Sequence, residues 1–218
     1  MSDGTPGADQ DPASERGTAD RPVITIFEHY GAGATTVGRR VAEQLGLPFH
    51  PQAFSSEDLE AGPDAVLRSN ALLATVYSAM GGAYGGFEGR DVVATQQQKY
   101  DLVMDNNRAV WEEAAQGGVI LGRNGAVILA DRPNTVHVLL TGDREDRIAR
   151  AASEAGITTE QAARRQERED QVRSEMSKTL YGWDPRLPDR YDLVINTSRI
   201  PLDAAADAIV HAARVRTR

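Results

Sequence analysis

Apolar residues fall along this chain in short continuous runs separated by longer stretches where they recur every three or four positions. That alternation predicts strands and helices in turn. The run Val23 to Phe27 reads as a first strand, and Val37, Val41 and Leu45 mark one face of the helix after it. Gly46 ends that helix, and Leu47-Pro48-Phe49-His50 reads as a short second strand. Ser55 to Asp58 offers capping side chains, and Pro63 to Met80 reads as a helix with Val66, Leu67, Leu73, Val76 and Tyr77 mostly to one side. A longer helix is expected from Val92 to Ala115, with Tyr100, Val103, Met104, Val110 and Trp111 on its apolar face and Gly117-Gly118 as its stop. Val119-Ile120-Leu121 has the unbroken apolar character of a central parallel strand. Thr135 to Leu140 is a fourth strand, Asp143 caps a helix from Arg144 to Glu154, and Thr158 or Thr159 caps the next. After the turn-rich Tyr181 to Pro185, Tyr191 to Asn196 is a fifth strand and Leu202 to Ala213 a closing helix. Strands that alternate with helices predict an α/β fold of three layers, a parallel five-stranded sheet with helices on both faces.

Two stretches break the pattern. Met1 to Arg21 has no large apolar residue beyond its initiator, and carries five acids against two bases, hence −3 of the chain's net −8. Such a segment cannot bury enough surface to offset its ordering entropy, so it reads as a disordered acidic tail ahead of one domain spanning 22–218. Gly81 to Gly89 holds five glycines and reads as a mobile loop. Its Tyr84 and Phe87 could close on a ligand, pack against a second subunit of a homodimer, or pin the loop to the body; the residues leave all three open.

Composition narrows the function. At 218 residues the chain can bury one sizeable core, and its charge of −8 argues against a generally basic nucleic-acid-binding surface. Without cysteine there is no disulfide framework, thiolate metal site or cysteine nucleophile, and the four histidines are too scattered for a protein-bound metal site. No apolar run approaches the ~20 residues of a membrane span, and the N-terminus has no secretory signature, so a cytoplasmic protein is expected.

The chemistry gathers where the first strand meets its helix. Strand, glycine turn, helix is the arrangement in which backbone amides and a helix N-terminus hold phosphate. Against the phosphate-loop pattern G-x-x-x-x-G-K-[ST], Gly33 matches, Glu28 takes the place of the first glycine, Ala34 that of the lysine, and Thr35 that of the hydroxyl. The residues alone leave an ordinary βα turn about as likely as a phosphate site. Arg123, directly after the third strand, lies at the end of the sheet where ligands collect. The helix carrying Arg164, Arg165, Arg168 and Arg173 is charged nearly all round. It is either a solvated helix laced with pairs such as Glu169 with Arg173, or a lid whose arginines reach a polyphosphate.

Taken together, EHYGAGATTVGRRVAEQLGLPF at Glu28–Phe49, LGRNGAVILADRPNTVHVLLTGDREDRIAR at Leu121–Arg150, RRQEREDQVR at Arg164–Arg173 and YDLVINTSRIPLDAA at Tyr191–Ala205 resemble the cytidylate kinase-like family, relatives of the P-loop nucleoside monophosphate kinases. The resemblance implies a phosphotransferase of that fold with a helical lid at about 157–190. ATP or another nucleoside triphosphate, with Mg2+, would be held by Gly31, Ala32, Gly33, Ala34, Thr35 and Thr36, and Thr35 would meet the metal. It further implies Arg123 on a nucleotide or small-molecule acceptor, Arg165, Arg168 and Arg173 with Asp170 in the lid, and Asn196 to Ser198 near the base site. Two departures stand out: Ala34 for the lysine, and Asn124 for the acid of the kinases' G-R-D motif. Arg39 and Arg40 lie more than a turn into the helix, from which at most one could bend back. Three readings follow: an active phosphotransferase, a nucleotide-binding regulatory protein with a degenerate loop, or a scaffold that has lost its ligand.

Overall fold

The computed structural model describes residues 21–57 and 92–216. The expected acidic tail, the helix at 63–80 and the glycine-rich loop with Tyr84 and Phe87 lie outside the described residues. Strands β1 (Val23–Glu28), β2 (Phe49–His50), β3 (Gly118–Leu121), β4 (Thr135–Thr141) and β5 (Leu193–Asn196) form one sheet. Its order is β2-β3-β1-β4-β5 and every pairing is parallel. Between them run α1 (Ala34–Leu45), α2 (Val92–Ala115), the single turn α3 (Gly125–Ile128), α4 (Arg144–Ala155), α5 (Thr159–Tyr181) and α6 (Leu202–Arg216).

The β-branched run of β1 earns the central place because both its faces are covered. Ile24 and Ile26 point into a core shared with Val37 and Val41 of α1 and Ile209 and Val210 of α6. Val23 points the other way, onto Val110 and Ala114 of α2 and Leu129 after α3. The three-layer architecture expected from the alternation is therefore present. On that second face Thr25 Oγ1 and His137 Nδ1 sit 2.7 Å apart. Burial holds the His137 ring below the usual imidazole range. A third cluster joins Tyr30 of the β1–α1 loop to Ile148, Ala151 and Ala152 of α4 and Ala162 of α5, and so fixes those helices against the loop.

Element types agree with the sequence pattern, but three details depart from it. Tyr100, Met104 and Trp111, placed by periodicity on the apolar face of α2, are 61%, 48% and 47% exposed; of that face Val110 is buried, joined by Leu102 and Ala114. Asp143 stands at the N-cap of α4 with extended backbone, but its side chain makes no capping bond. Thr158 does cap α5, in a reciprocal pair with Gln161. The α5 helix is not a solvated one throughout, because Glu169 is fully buried.

Candidate functional site

Glu28 is the last residue of β1, held in the ladder opposite Leu140. The chain then turns, with Gly31 (φ 80°) and Gly33 (φ 90°) in the left-handed region that a β-carbon disfavours. At Gly31 a side chain would also collide with the Arg147 carbonyl. The loop carbonyls are turned toward α4 and β5. Arg147 Nη1 donates to Tyr30 O (2.8 Å), Arg150 Nη1 to Gly31 O (2.7 Å) and Thr197 Oγ1 to Ala32 O (2.9 Å). With the carbonyls occupied on one side, the amides of Gly31, Gly33, Thr35 and Thr36 have no acceptor among the described residues. Gly31, Gly33 and Thr35 border a cavity of about 570 Å³. This is the electrostatic layout of an anion site: unpaired N–H groups at the start of a helix.

Of the other loop amides, that of Ala32 donates to His29 O (2.9 Å), and two are bonded to carboxylates. The Ala34 amide donates to Glu28 Oε2 (3.0 Å), and the Tyr30 amide to Asp170 Oδ1 (2.7 Å). Asp170 comes from α5 and is held by Arg147 (3.1 Å) and Gln166 (2.7 Å). Glu28 also accepts from Gln52 Nε2 (3.3 Å). Arg173, again from α5, lies 3.7 Å from Glu28 and 2.5 Å from Glu169, and Ser56 donates to that same Glu169. Glu28 and Arg173 are 10% and 12% exposed, so the exchange of charge takes place in a poorly solvated interior. Burial pushes the Glu28 carboxyl above the usual carboxylate range, with Arg173 and the Ala34 amide opposing. Burial likewise holds the His29 imidazole low and raises the Tyr30 phenol.

Of the arginines expected to act, Arg173 borders both this cavity and a smaller one of about 60 Å³. Arg165 borders the larger and pairs with Glu57 (3.1 Å), while Arg168 borders neither. Arg123 lies on the smaller cavity in left-handed backbone (φ 53°), and its guanidinium pairs with Glu113 at 2.6 Å. Glu113 is also 3.8 Å from His50 Nδ1. Neither Arg39 nor Arg40 bends back: Arg39 stacks over the Phe49 ring at 4.8 Å, and Arg40 pairs with Asp203. Thr35 is exposed at the cavity edge, whereas the Ala32 and Ala34 side chains are buried and contribute backbone only. Among the described residues no group of three metal-ligating side chains occurs, and no helix is long and apolar enough to cross a membrane.

The model of the family described as "Cytidylate kinase-like family" matches residues 23–199. The chain belongs to the cytidylate kinase-like family. A cytidylate kinase of Methanopyrus kandleri is 31% identical over 188 residues, covering 81% of this chain and 85% of that protein. A uronate isomerase of Corynebacterium glutamicum is 34% identical over 109 residues, half of this chain. The chain spans only 21% of that protein's length. Among solved structures, a protein of Eubacterium ventriosum aligns over 90% of this chain and all of its own with a TM-score of 0.62, at 20% identity. The fold of this cytidylate kinase-like chain is thus that of its relatives. Its site has features the sequence did not announce. Glu28 was visible only as a mismatch to the phosphate-loop pattern, and nothing nearby in sequence foretold that Asp170, 140 residues away, would bond the Tyr30 amide.

Proposed function

We propose that this member of the family binds a nucleoside triphosphate such as ATP on the β1–α1 loop and transfers its terminal phosphoryl group to a nucleotide or a small hydroxyl compound. The observation that carries the proposal is the position of Arg173. With alanine in the place of the loop lysine, a cation has to come from elsewhere, and α5 delivers one within 3.7 Å of the carboxylate on the Ala34 amide. Phosphoryl transfer asks the protein for position and charge more than for covalent chemistry, so a cation from the lid side can serve as well as one from the loop. The bond from the terminal phosphorus to the oxygen of the leaving nucleoside diphosphate breaks and a bond to the acceptor oxygen forms; that oxygen is a phosphate oxygen of a nucleotide or the hydroxyl oxygen of a small compound, whose proton then passes to solvent. Mg2+ would enter with the nucleotide phosphates and meet the Thr35 hydroxyl. In this reading α5 and the segment after it, about 157–190, form the lid, and Arg123 faces the acceptor.

A second reading, a nucleotide-binding regulatory protein without transfer, is favoured by one feature: Glu28 occupies an amide that a phosphate would use. The two separate by experiment. Nucleotide at 100 times its dissociation constant stabilises a binder by ~2.7 kcal/mol, visible in a thermal-shift panel. Transfer of label from γ-labelled ATP to CMP, dCMP or UMP supports the kinase; tight binding without transfer supports the regulator, and no binding at all removes both.

A further inference from the structure

We infer that Glu28 is a specificity-determining residue of the loop: by holding the Ala34 amide it selects against extended phosphate chains, and it has to leave that amide before a triphosphate is seated. The inference rests on the nucleotide-binding reading above and adds to it the class of ligand the loop prefers.

The geometry is specific. Glu28 is anchored by its backbone in the β1–β4 ladder, and His29 N–H continues it by donating to Leu140 O (3.0 Å). Only the side chain is free to move. Its two oxygens are used differently: Oε2 accepts from Ala34 N–H, while Oε1 accepts from Gln52 and faces Arg173. Ala34 stands in the lysine position of the phosphate-loop pattern, so its amide belongs to the set such a loop turns on a phosphate chain. In sequence it lies in the middle of that set, between the unbonded amides of Gly31 and Gly33 and those of Thr35 and Thr36, so a chain of phosphates that spans the loop has to contend with Glu28.

Charge sharpens the argument. The groups facing Glu28 are Arg173 and Glu169 from α5, Glu154 from α4, Gln52 after β2 and the Ala34 amide of α1. Glu28 and Glu169 both lean on Arg173, with Glu154 nearby and Arg165 on the same cavity. A triphosphate that reached the Ala34 amide would set its own negative charge directly against the Glu28 carboxylate, and the simplest exchange is carboxylate out, phosphate in. Protonating Glu28 achieves the same relief, and burial already favours its neutral form. A monophosphate can be held by the unbonded amides alone, with Glu28 left on Ala34.

The test is calorimetric binding of ATP, ADP and AMP to the full chain and to Glu28→Gln. The amide keeps the shape and can still accept from Ala34, but removes the charge. ATP should bind the variant roughly tenfold tighter or more, the low end of what two like charges in near contact cost at a protein surface, while AMP changes less than about threefold. The gap between the two proteins for ATP should narrow as the pH falls, as the wild-type carboxyl, pushed up by burial, takes up a proton. If Glu28→Gln does not fold, Glu28→Gly, the residue the pattern asks for, carries the same comparison. Equal or weaker ATP binding by a folded variant that still binds AMP overturns the inference and leaves the nucleotide reading intact. Failure of both proteins to bind any of the three overturns both.

Discussion

The two cavities meet at Glu28 and Arg173 and are otherwise unlike. The larger has one wall of backbone, the loop from Tyr30 to Ala34 with Thr35 at its edge, faced by charged side chains, Glu57, Glu154 and Arg165 among them. On the loop wall the electrostatics come from peptide dipoles that no substitution outside the turn can remove. The smaller is walled by side chains, Phe27, Phe54, Leu102, Met176 and Leu180 among them, and its one arginine besides Arg173 is already neutralised by Glu113. An anion approaching the first side finds unpaired donors. On the second side it must first compete with a carboxylate 2.6 Å from Arg123. The difference teaches that unbonded donors are concentrated on the loop, and that the smaller cavity offers shape more than free charge.

Breaking the partition should have the largest effect. Arg173 lies between Glu28 and Glu169, the latter with no exposed surface. Arg173→Met would remove the cation between two carboxylates in a poorly solvated space, a change that typically costs ~3–5 kcal/mol. Its sign with pH follows from Glu28, whose carboxyl burial already pushes up: with the cation gone it is pushed further, so the loss is greatest at high pH and eases as acid protonates it. Urea unfolding across pH would show this, and a loss independent of pH would mean that packing, not charge, is what Arg173 supplies. Nucleotide affinity should fall in the same variant.

Arg123→Ala comes next. Glu113 would keep only His50 at 3.8 Å, and leaving a half-buried carboxylate short of its partner costs about 1–2 kcal/mol. Binding of CMP as acceptor should disappear while ATP binding on the loop is kept. Equal loss of both, read by calorimetry, would mean that the two cavities are not separate functional sides.

How far the sequence revealed this arrangement depended on how local each signal was. Strand β1 and helix α1 were legible because β-branched residues, glycines and a four-residue repeat all lie within one continuous stretch. The buried stripe of α2 was legible only in part: Val110 lay on the expected face, but Tyr100, Met104 and Trp111 drew that face away from Leu102 and Ala114, and periodicity cannot tell which stripe meets the sheet. The pairing of Glu169 with Arg173 was legible as spacing, yet its burial was not, since Ser56 and Glu28 come to it from more than 110 positions away. Glu28 illustrates the limit most plainly. A mismatch to a pattern says which residue is unusual, and only the fold says that its carboxylate turns onto the amide six positions later.

The smallest expected effect tests the loop side alone. Thr35 is exposed, makes no hydrogen bond within the protein through its hydroxyl among the described residues, and stands on the first turn of α1. Thr35→Val keeps the branched shape and removes only the oxygen, so stability should stay within about 0.5 kcal/mol. If the hydroxyl meets the magnesium that accompanies the phosphates, affinity for Mg-ATP should drop about tenfold, a single metal-ligand contact's worth, while ATP in the presence of EDTA binds as before. The paired measurement matters because the Thr35 amide is unchanged by the substitution. A loss in both conditions would place the hydroxyl on phosphate rather than metal, and no loss in either would leave the amides as the whole of the loop's contribution, setting its backbone walls still further apart from the side-chain walls across the Glu28–Arg173 partition.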